Sequence, residues 1–245
     1  MITISIISHG HGAMMERLVT EVLCCPEVMQ IILTLNIPES VMLPQDARLQ
    51  VTHNIFPSGF ASNHNAAFQL CTQPYFCPLN PDIQLQGNPF PALLAAMEET
   101  GAAIIAPLVT NPEGIVEDSV RHFPTITSLL LKMLGKYDGR YPVEQYRTNF
   151  YAEWIAGMFL LFHHVDFRRL QGFDTCFFLY YEDVDICLRA WKAGLKVVAC
   201  PTVTVVHAAQ RASRHNLRYL GWHLTSMARY FRKHWGRLPE VPAGG

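Results

Sequence analysis

Apolar and polar positions along the chain switch repeatedly between a period of two and one near 3.6, and each switch marks an element. Residues 1–8 (MITISIIS) alternate, which predicts a strand and not a basic-led signal peptide; a turn follows at His9-Gly10-His11-Gly12. Residues 14–23 carry helical spacing, with Met14, Leu18 and Val22 in one row and Met15 and Val19 beside it. Residues 30–35 and 49–53 read as the next strands, Pro57-Ser58-Gly59-Phe60 as a turn, and residues 62–70 as a helix. A short fourth strand over 75–79 ends in Asn80-Pro81-Asp82, and a helix over 89–100 leads into a buried strand over 102–109.

Strands alternating with helices predict a mainly parallel α/β sheet with helices on both faces. A ligand of such a sheet sits at the carboxyl ends of its strands, where the turn after the first strand and Asn80-Pro81-Asp82 lie. The second half is less regular. It reads as a turn at 111–114, a helix over 125–134, a long loop over 135–149, a strand over 156–162, a short helix over 165–170 and a turn at Gly172-Phe173-Asp174. A helix over 182–193 stopped by Gly194, two short strands at 196–199 and 203–206, and a last helix over 216–235 complete the chain. No repeat or linker interrupts it, so residues 1–235 are expected to form one domain, with 236–245 as a tail.

The composition agrees with a packed domain. Of 245 residues, 50% are hydrophobic and 16% charged, which excludes a disordered chain. No apolar run approaches the roughly 18 residues of a membrane span. Seven scattered cysteines without a Cys-x-x-Cys pair predict reduced thiols and a cytoplasmic setting. Charge is unevenly placed: residues 1–185 hold nine Lys or Arg against nineteen Asp or Glu, whereas residues 186–245 hold ten against the single acid Glu240. A basic C-terminal face turned to something anionic and a solvated helix face are both compatible with that split.

Several residues could carry chemistry. Asp82, at the end of a strand, is placed to hold a divalent cation, although Asn-Pro-Asp alone is also a turn sequence. Glu182, Asp183 and Asp185 crowd three carboxylates into four residues behind Phe177-Phe178-Leu179-Tyr180-Tyr181. Acids in a first helical turn favour the helix dipole, but crowding and desolvation also raise a carboxyl pKa, as a general base needs. His207, after an apolar strand, gains interest only if it faces Asp82. Residues 60–67 (FASNHNAA) read as a helix start, and the glycines at 10 and 12 permit close approach of a ligand.

Taken together, Ile32-Leu33-Thr34-Leu35-Asn36, Gly59-Phe60-Ala61-Ser62-Asn63-His64-Asn65, Leu79-Asn80-Pro81-Asp82 and the stretch from Gly172-Phe173-Asp174 to Tyr181-Glu182-Asp183-Val184-Asp185 and Arg189 resemble family 2 glycosyltransferases, most closely the bacterial rhamnosyltransferase branch that builds O-antigen and cell-wall polysaccharide. The resemblance covers about residues 1–235. It implies a GT-A fold, a Rossmann-like mixed sheet, and inverting transfer of a sugar from a nucleotide-sugar donor, dTDP-rhamnose at branch level, to a saccharide hydroxyl. Asn80-Pro81-Asp82 takes the place of the family's Asp-x-Asp, with an amide in the first acid's position. Asp82 and His207 would then hold a divalent cation, Mg²⁺ or Mn²⁺. Ser8, His9, Gly10, Asn36, Asn63 and Asn80 would lie along the donor, Asp183 would be the catalytic base, Glu182 would hold the acceptor or substitute for Asp183 as base, and Trp154 would meet the acceptor. Asp185 is expected to pair with Arg189 at i, i+4.

Acceptors in that branch ride on a polyprenyl diphosphate, so the resemblance also suggests peripheral contact with the inner membrane surface through the helix over 216–235 and its Arg229, Arg232 and Lys233. The alternative is that Leu217, Leu220, Leu224, Met227 and Phe231 pack on the body. A nucleotidyltransferase is disfavoured because the nearest base to the first turn is Arg17. A non-catalytic sugar-binding relative is disfavoured by the intact acidic run, and nucleic-acid binding by the acidic body.

Overall fold

The computed structural model describes residues 1–208 and 217–242; His215 and Asn216 of the basic C-terminal region lie outside the described residues. Among the described residues, nine strands form one sheet. Strand β1 (Ile2–Ser8) lies between β2 (Val28–Leu35) and β4 (Tyr75–Leu79), all parallel, with β3 (Leu49–His53) outside β2. Beyond β4, strand β10 (Leu161–His163) runs antiparallel to both β4 and β6 (Ala102–Thr110). The long β11 (Lys196–His207) follows parallel to β6, with β5 (Ile83–Leu85) and β8 (Phe150–Tyr151) antiparallel to it. A two-stranded ribbon pairs β7 (Val120–Arg121) with β9 (Trp154–Ile155).

Both faces of the sheet are buried. On one, Ile4, Ile6 and Leu33 meet α1 (Ala13–Leu23) and α3 (Phe90–Thr100). On the other, Phe76, Ile104 and Phe162 meet α2 (Phe60–Gln69), α5 (His164–Arg169) and α6 (Glu182–Lys192). The alternation in β1 therefore does not separate core from solvent. Thr3 and Ser5 are buried too, and are satisfied by Gln30 Oε1 at 2.7 Å and His64 Nδ1 at 2.8 Å. A buried hydroxyl left unpaired would cost about 1–3 kcal/mol.

Two predicted strands come out differently, and prolines explain both. Of residues 156–162, only the end joins the sheet as β10; Leu160 N–H donates to the carbonyl of Pro78, which has no N–H to return. Conversely, 196–199 and 203–206 are one strand, β11, whose register against β6 slips between Cys200 and Thr204, around Pro201.

The last helix, α7 (Leu217–His234), turns a polar face inward. Ser226, Tyr230 and His234 are buried, whereas Leu217, Leu220 and Leu224, three of the five side chains expected to pack if the helix lay on the body, are exposed. The reason is Asp185, fully buried on α6. It accepts from Arg189 Nε at 2.7 Å, as expected at i, i+4, and also meets Lys233 Nζ at 2.6 Å and His234 Nε2 at 2.7 Å. Burial works against its charge, but these partners more than offset that and hold its pKa down at about 2. A buried carboxylate needs such partners more than a leucine needs cover. All seven cysteines are free thiols. Among the described residues no helix is long and apolar enough to cross a membrane.

Candidate active site

Strand order brings Asp82 and His207 together. After β4 the chain turns at residues 80–82 and pairs β5 antiparallel with the end of β11, with Ile83 opposite His207. Asp82 Oδ2 lies 3.0 Å from His207 Nε2, and the Asp82 carbonyl accepts from Ala208 N–H at 2.9 Å. The other ring nitrogen, Nδ1, lies 2.7 Å from Glu117 Oε2. Burial disfavours the imidazolium, but the two carboxylates outweigh it and lift His207 to about 9. Asp82 Oδ1 is buried without a hydrogen-bond partner. An orphaned carboxylate oxygen beside an imidazole whose far nitrogen is fixed by a second carboxylate is a donor set that suits a divalent cation. Among the described residues no three His, Cys, Asp or Glu side chains converge on one point, so such a cation would take its remaining ligands from substrate and water.

Glu182 and Asp183 open α6. Tyr180 and Tyr181 just before them have φ of 68° and 69°, the left-handed region that costs a non-glycine residue about 1–3 kcal/mol. That turn is imposed from α2. Gly59 lies so close to the Phe178 carbonyl that a Cβ would come within 2.3 Å, and Phe60 N–H donates to that carbonyl at 3.0 Å. Asn65 clamps Phe173 through both its amide and its carbonyl, at 2.9 and 2.7 Å. The segment around residues 59–65 therefore positions the acidic run.

The two neighbouring acids meet different surroundings. Asp183 Oδ2 accepts from Gly157 N–H at 3.0 Å and Oδ1 from Val184 N–H at 2.8 Å. Glu182 is buried with Oε2 unpartnered. Burial pushes both carboxyls up, Glu182 well up, while backbone donors and Arg121 pull Asp183 back. The proton of the pair therefore belongs on Glu182 and the charge on Asp183. A cavity of about 210 Å³ opens over them, lined by Arg121, Trp154, Tyr181, Glu182, Asp183 and His223 among others. Trp154 Nε1 donates to the His122 carbonyl at 2.9 Å, which leaves its ring fixed in the cavity wall.

The remaining predicted residues gather at the carboxyl ends of β1 and β2. Ser8 and Asn36 are buried, and Asn36 Nδ2 lies 3.2 Å from His9 Nδ1. Asn36, Asn54 and Asn63 bond to one another and, through Asn36 and Asn63, to the Ser58 carbonyl, so much of the hydrogen-bonding capacity of Asn36 and Asn63 goes into shaping the crevice. The Gly10 and Gly12 amides point at the Glu39 carboxylate, at 3.3 and 3.2 Å. His11 lies within electrostatic reach of Asp82, which ties this turn to residues 80–82.

Asp82 and His207 do not line the Asp183 cavity; residues 157 and 158 connect the two groups. Gly157 N–H holds Asp183, and the Met158 carbonyl accepts from Asn80 N–H at 2.9 Å. Sequence reading missed Glu117, Glu39 and Arg121. Glu117 could have been found by the logic that picked Asp82, an acid just past the carboxyl end of a parallel strand; Arg121 and Glu39 carry no such signal.

The model of the family described as Glycosyl transferase family 2 matches residues 34–189. The rhamnosyltransferase WbbL of Escherichia coli K12 is 28% identical, over 95% of this chain and 93% of its own. The N-acetylglucosaminyl-diphospho-decaprenol L-rhamnosyltransferase of Mycobacterium tuberculosis is 31% identical over 58% of this chain and 52% of its own, so this chain aligns with about half of that relative. Among solved structures, GalNAc-T7 with UDP, GalNAc and Mn²⁺ superposes with a TM-score of 0.70 at 13% identity, over 96% of this chain and 48% of that one. The mannosyltransferase PcManGT of Pyrobaculum calidifontis with GDP-Man and Mn²⁺ gives 0.63 at 14%, over 97% and 65%. At such low identity these likenesses speak to the fold, which is GT-A.

Proposed function

The chain belongs to glycosyl transferase family 2, and from that premise we propose that it transfers rhamnose, with inversion, from dTDP-rhamnose to a hydroxyl of a saccharide carried on a polyprenyl diphosphate, in the assembly of a bacterial surface polysaccharide at the cytoplasmic side of the membrane. Two relatives named as rhamnosyltransferases support the sugar, and the decaprenol in the mycobacterial relative's name supports a lipid-linked acceptor.

The observation that carries the reading is the asymmetry of Glu182 and Asp183. Asp183 stays the charged member because Gly157 and Val184 donate to it, and it faces a cavity of sugar size. There it takes the proton of the acceptor hydroxyl as that oxygen attacks the donor's anomeric carbon. The diphosphate leaves on the opposite side, toward residues 80–82 and His207, so the anomeric configuration inverts. Protonated Glu182 donates to the acceptor, and Trp154 offers it an apolar face. Ser8, His9, Gly10, Asn36 and Asn63 shape the nucleoside end of the crevice, with Asn80 beside the diphosphate. Asp82 and His207 are the residues that would hold a divalent cation, which when bound neutralises charge on the leaving diphosphate.

The test is Asp183→Asn. Turnover should fall at least about 100-fold, the low end of general-base contributions, while donor affinity by calorimetry stays within about twofold. An active Asp183→Asn enzyme alongside a dead Glu182→Gln enzyme would move the base to Glu182.

A further inference from the structure

An exposed apolar surface beside the site is α4 (Ile126–Met133), a helix none of whose residues is buried. It is held by its own capping box: Thr125 Oγ1 accepts from Ser128 N–H at 2.9 Å, and Ser128 Oγ accepts from Thr125 N–H at 2.8 Å. Ile126, Leu130, Leu131, Met133 and Leu134 all stand in solvent, Met133 at 84% and Leu134 at 67% exposure. A ridge of this kind on a folded protein marks something it touches.

Three further observations say what covers it. The ridge borders the Asp183 cavity, whose wall includes Ser128, Leu129 and Lys132 of α4 and His223 of α7. Burial first and the nearby Lys132 charge second hold His223 below its ordinary pKa, and both residues line the cavity, so α4 and α7 flank one opening. On α7, which lends His223 to that wall, Leu217, Leu220 and Leu224 form an exposed row at spacing 3 and 4. Cations are interspersed: Lys132 on α4 and Lys136 just after it are exposed. Aliphatic side chains among lysines, ringing the mouth of an active site, are complementary to an anionic bilayer.

We propose that α4, together with the Leu217–Leu220–Leu224 row of α7, is the surface on which this protein docks to an anionic membrane, with α4 inserting its aliphatic side chains among the lipids. The proposal deepens, and rests on, the reading of a lipid-linked acceptor: docking this way brings the mouth of the Asp183 cavity to the plane where such an acceptor's head group lies. It also shifts the membrane contact away from the α7 cations. Lys233 is paired with Asp174 and Asp185, and Arg229 donates to the Cys176 carbonyl, so both serve the fold.

The test is co-sedimentation of the full chain with phosphatidylglycerol–phosphatidylcholine vesicles and with phosphatidylcholine vesicles. Binding is expected to the anionic vesicles only. Leu130→Ser/Leu131→Ser should weaken it at least about tenfold, and Lys136→Glu severalfold, whereas Met42→Ser, an exposed apolar side chain beside α1, should leave it unchanged. The double variant should keep the wild-type melting temperature and the vesicle-free rate of donor hydrolysis. Binding that survives the double variant, or that Met42→Ser weakens equally, overturns the proposal. So does a dimer in solution that the double variant dissolves while neither vesicle binds, which would make α4 a self-association face. Sedimentation needs no turnover: a vesicle-bound but inactive wild type refutes the transferase reading alone, and an active wild type indifferent to vesicles refutes the docking surface alone.

Discussion

Asp183 and Glu182 are adjacent in the chain, yet backbone amides and Arg121 favour charge on Asp183, while burial first and the neighbouring Asp183 charge second disfavour it on Glu182. The base must be deprotonated to work, and burial raises its pKa. Turnover is therefore lost as pH falls, and the midpoint of that acid limb should lie above the ordinary carboxylate range near 4. The Arg121 charge lowers the Asp183 pKa, so Arg121→Gln should move the limb further up in a kcat against pH profile. A limb at or below pH 4 in both enzymes would show that Asp183 is better solvated than its surroundings imply. The acidic run was legible in the sequence as three crowded carboxylates. The division of labour came from the family resemblance and not from the spacing, because Gly157, Val184 and Arg121 act on Asp183 while Glu182 is left without them, and the fold decides which carboxyl receives the amides.

At the scale of elements, the position of α6 depends on α2 more than on its own cap, since Tyr181 supplies no side-chain capping bond. Gly59 and Asn65 hold residues 173–178, and through them the strained Tyr180–Tyr181 turn. Gly59→Ala would push a Cβ into the Phe178 carbonyl, which is backbone and cannot swing aside. It should cost about 1–3 kcal/mol in chemical denaturation and lower kcat more than it changes donor affinity. Unchanged kcat with full destabilisation would mean that α2 supports the fold but not the acidic run. Long elements with a clear period, such as β1, α1, β6 and α6, could be read directly. Those that could not share physical causes. Pro78 interrupts the partner of residues 156–160, Pro201 bends β11 without ending it, and β7, β8 and β9 are two residues long, too short to carry a period. For α7 the sequence left two readings open, and a buried carboxylate on α6 divided them: it draws in Ser226, Tyr230 and His234, so Leu217, Leu220 and Leu224 stay exposed while Met227 and Phe231 pack on the body.

Across the whole molecule the charge split acquires a direction. The first 185 residues, which supply the sheet ends and most of the crevice, carry a net −10, and Asp82, Glu117, Glu39 and Asp183 all lie along it. A nucleoside diphosphate brings further negative charge into that field, while the basic residues nearest the C-terminus serve α7 and the face beside it. Two groups can oppose the repulsion: His207, raised to about 9 between two carboxylates that already balance its charge, and a divalent cation, which on binding at Asp82 would displace the ring proton and take neutral His207 as a ligand. Because the imidazolium is neutralised in place, the cation should dominate. The affinity of dTDP by calorimetry is expected to fall at least about tenfold when Mg²⁺ or Mn²⁺ is replaced by EDTA, and Asp82→Ala should weaken binding in the presence of metal to about the same level. Adding EDTA to Asp82→Ala should then change little, since both perturbations remove one interaction. If dTDP binds equally well with and without metal in the native enzyme, the diphosphate must instead displace a carboxylate from His207, and Asp82→Ala would then tighten binding by freeing that imidazolium.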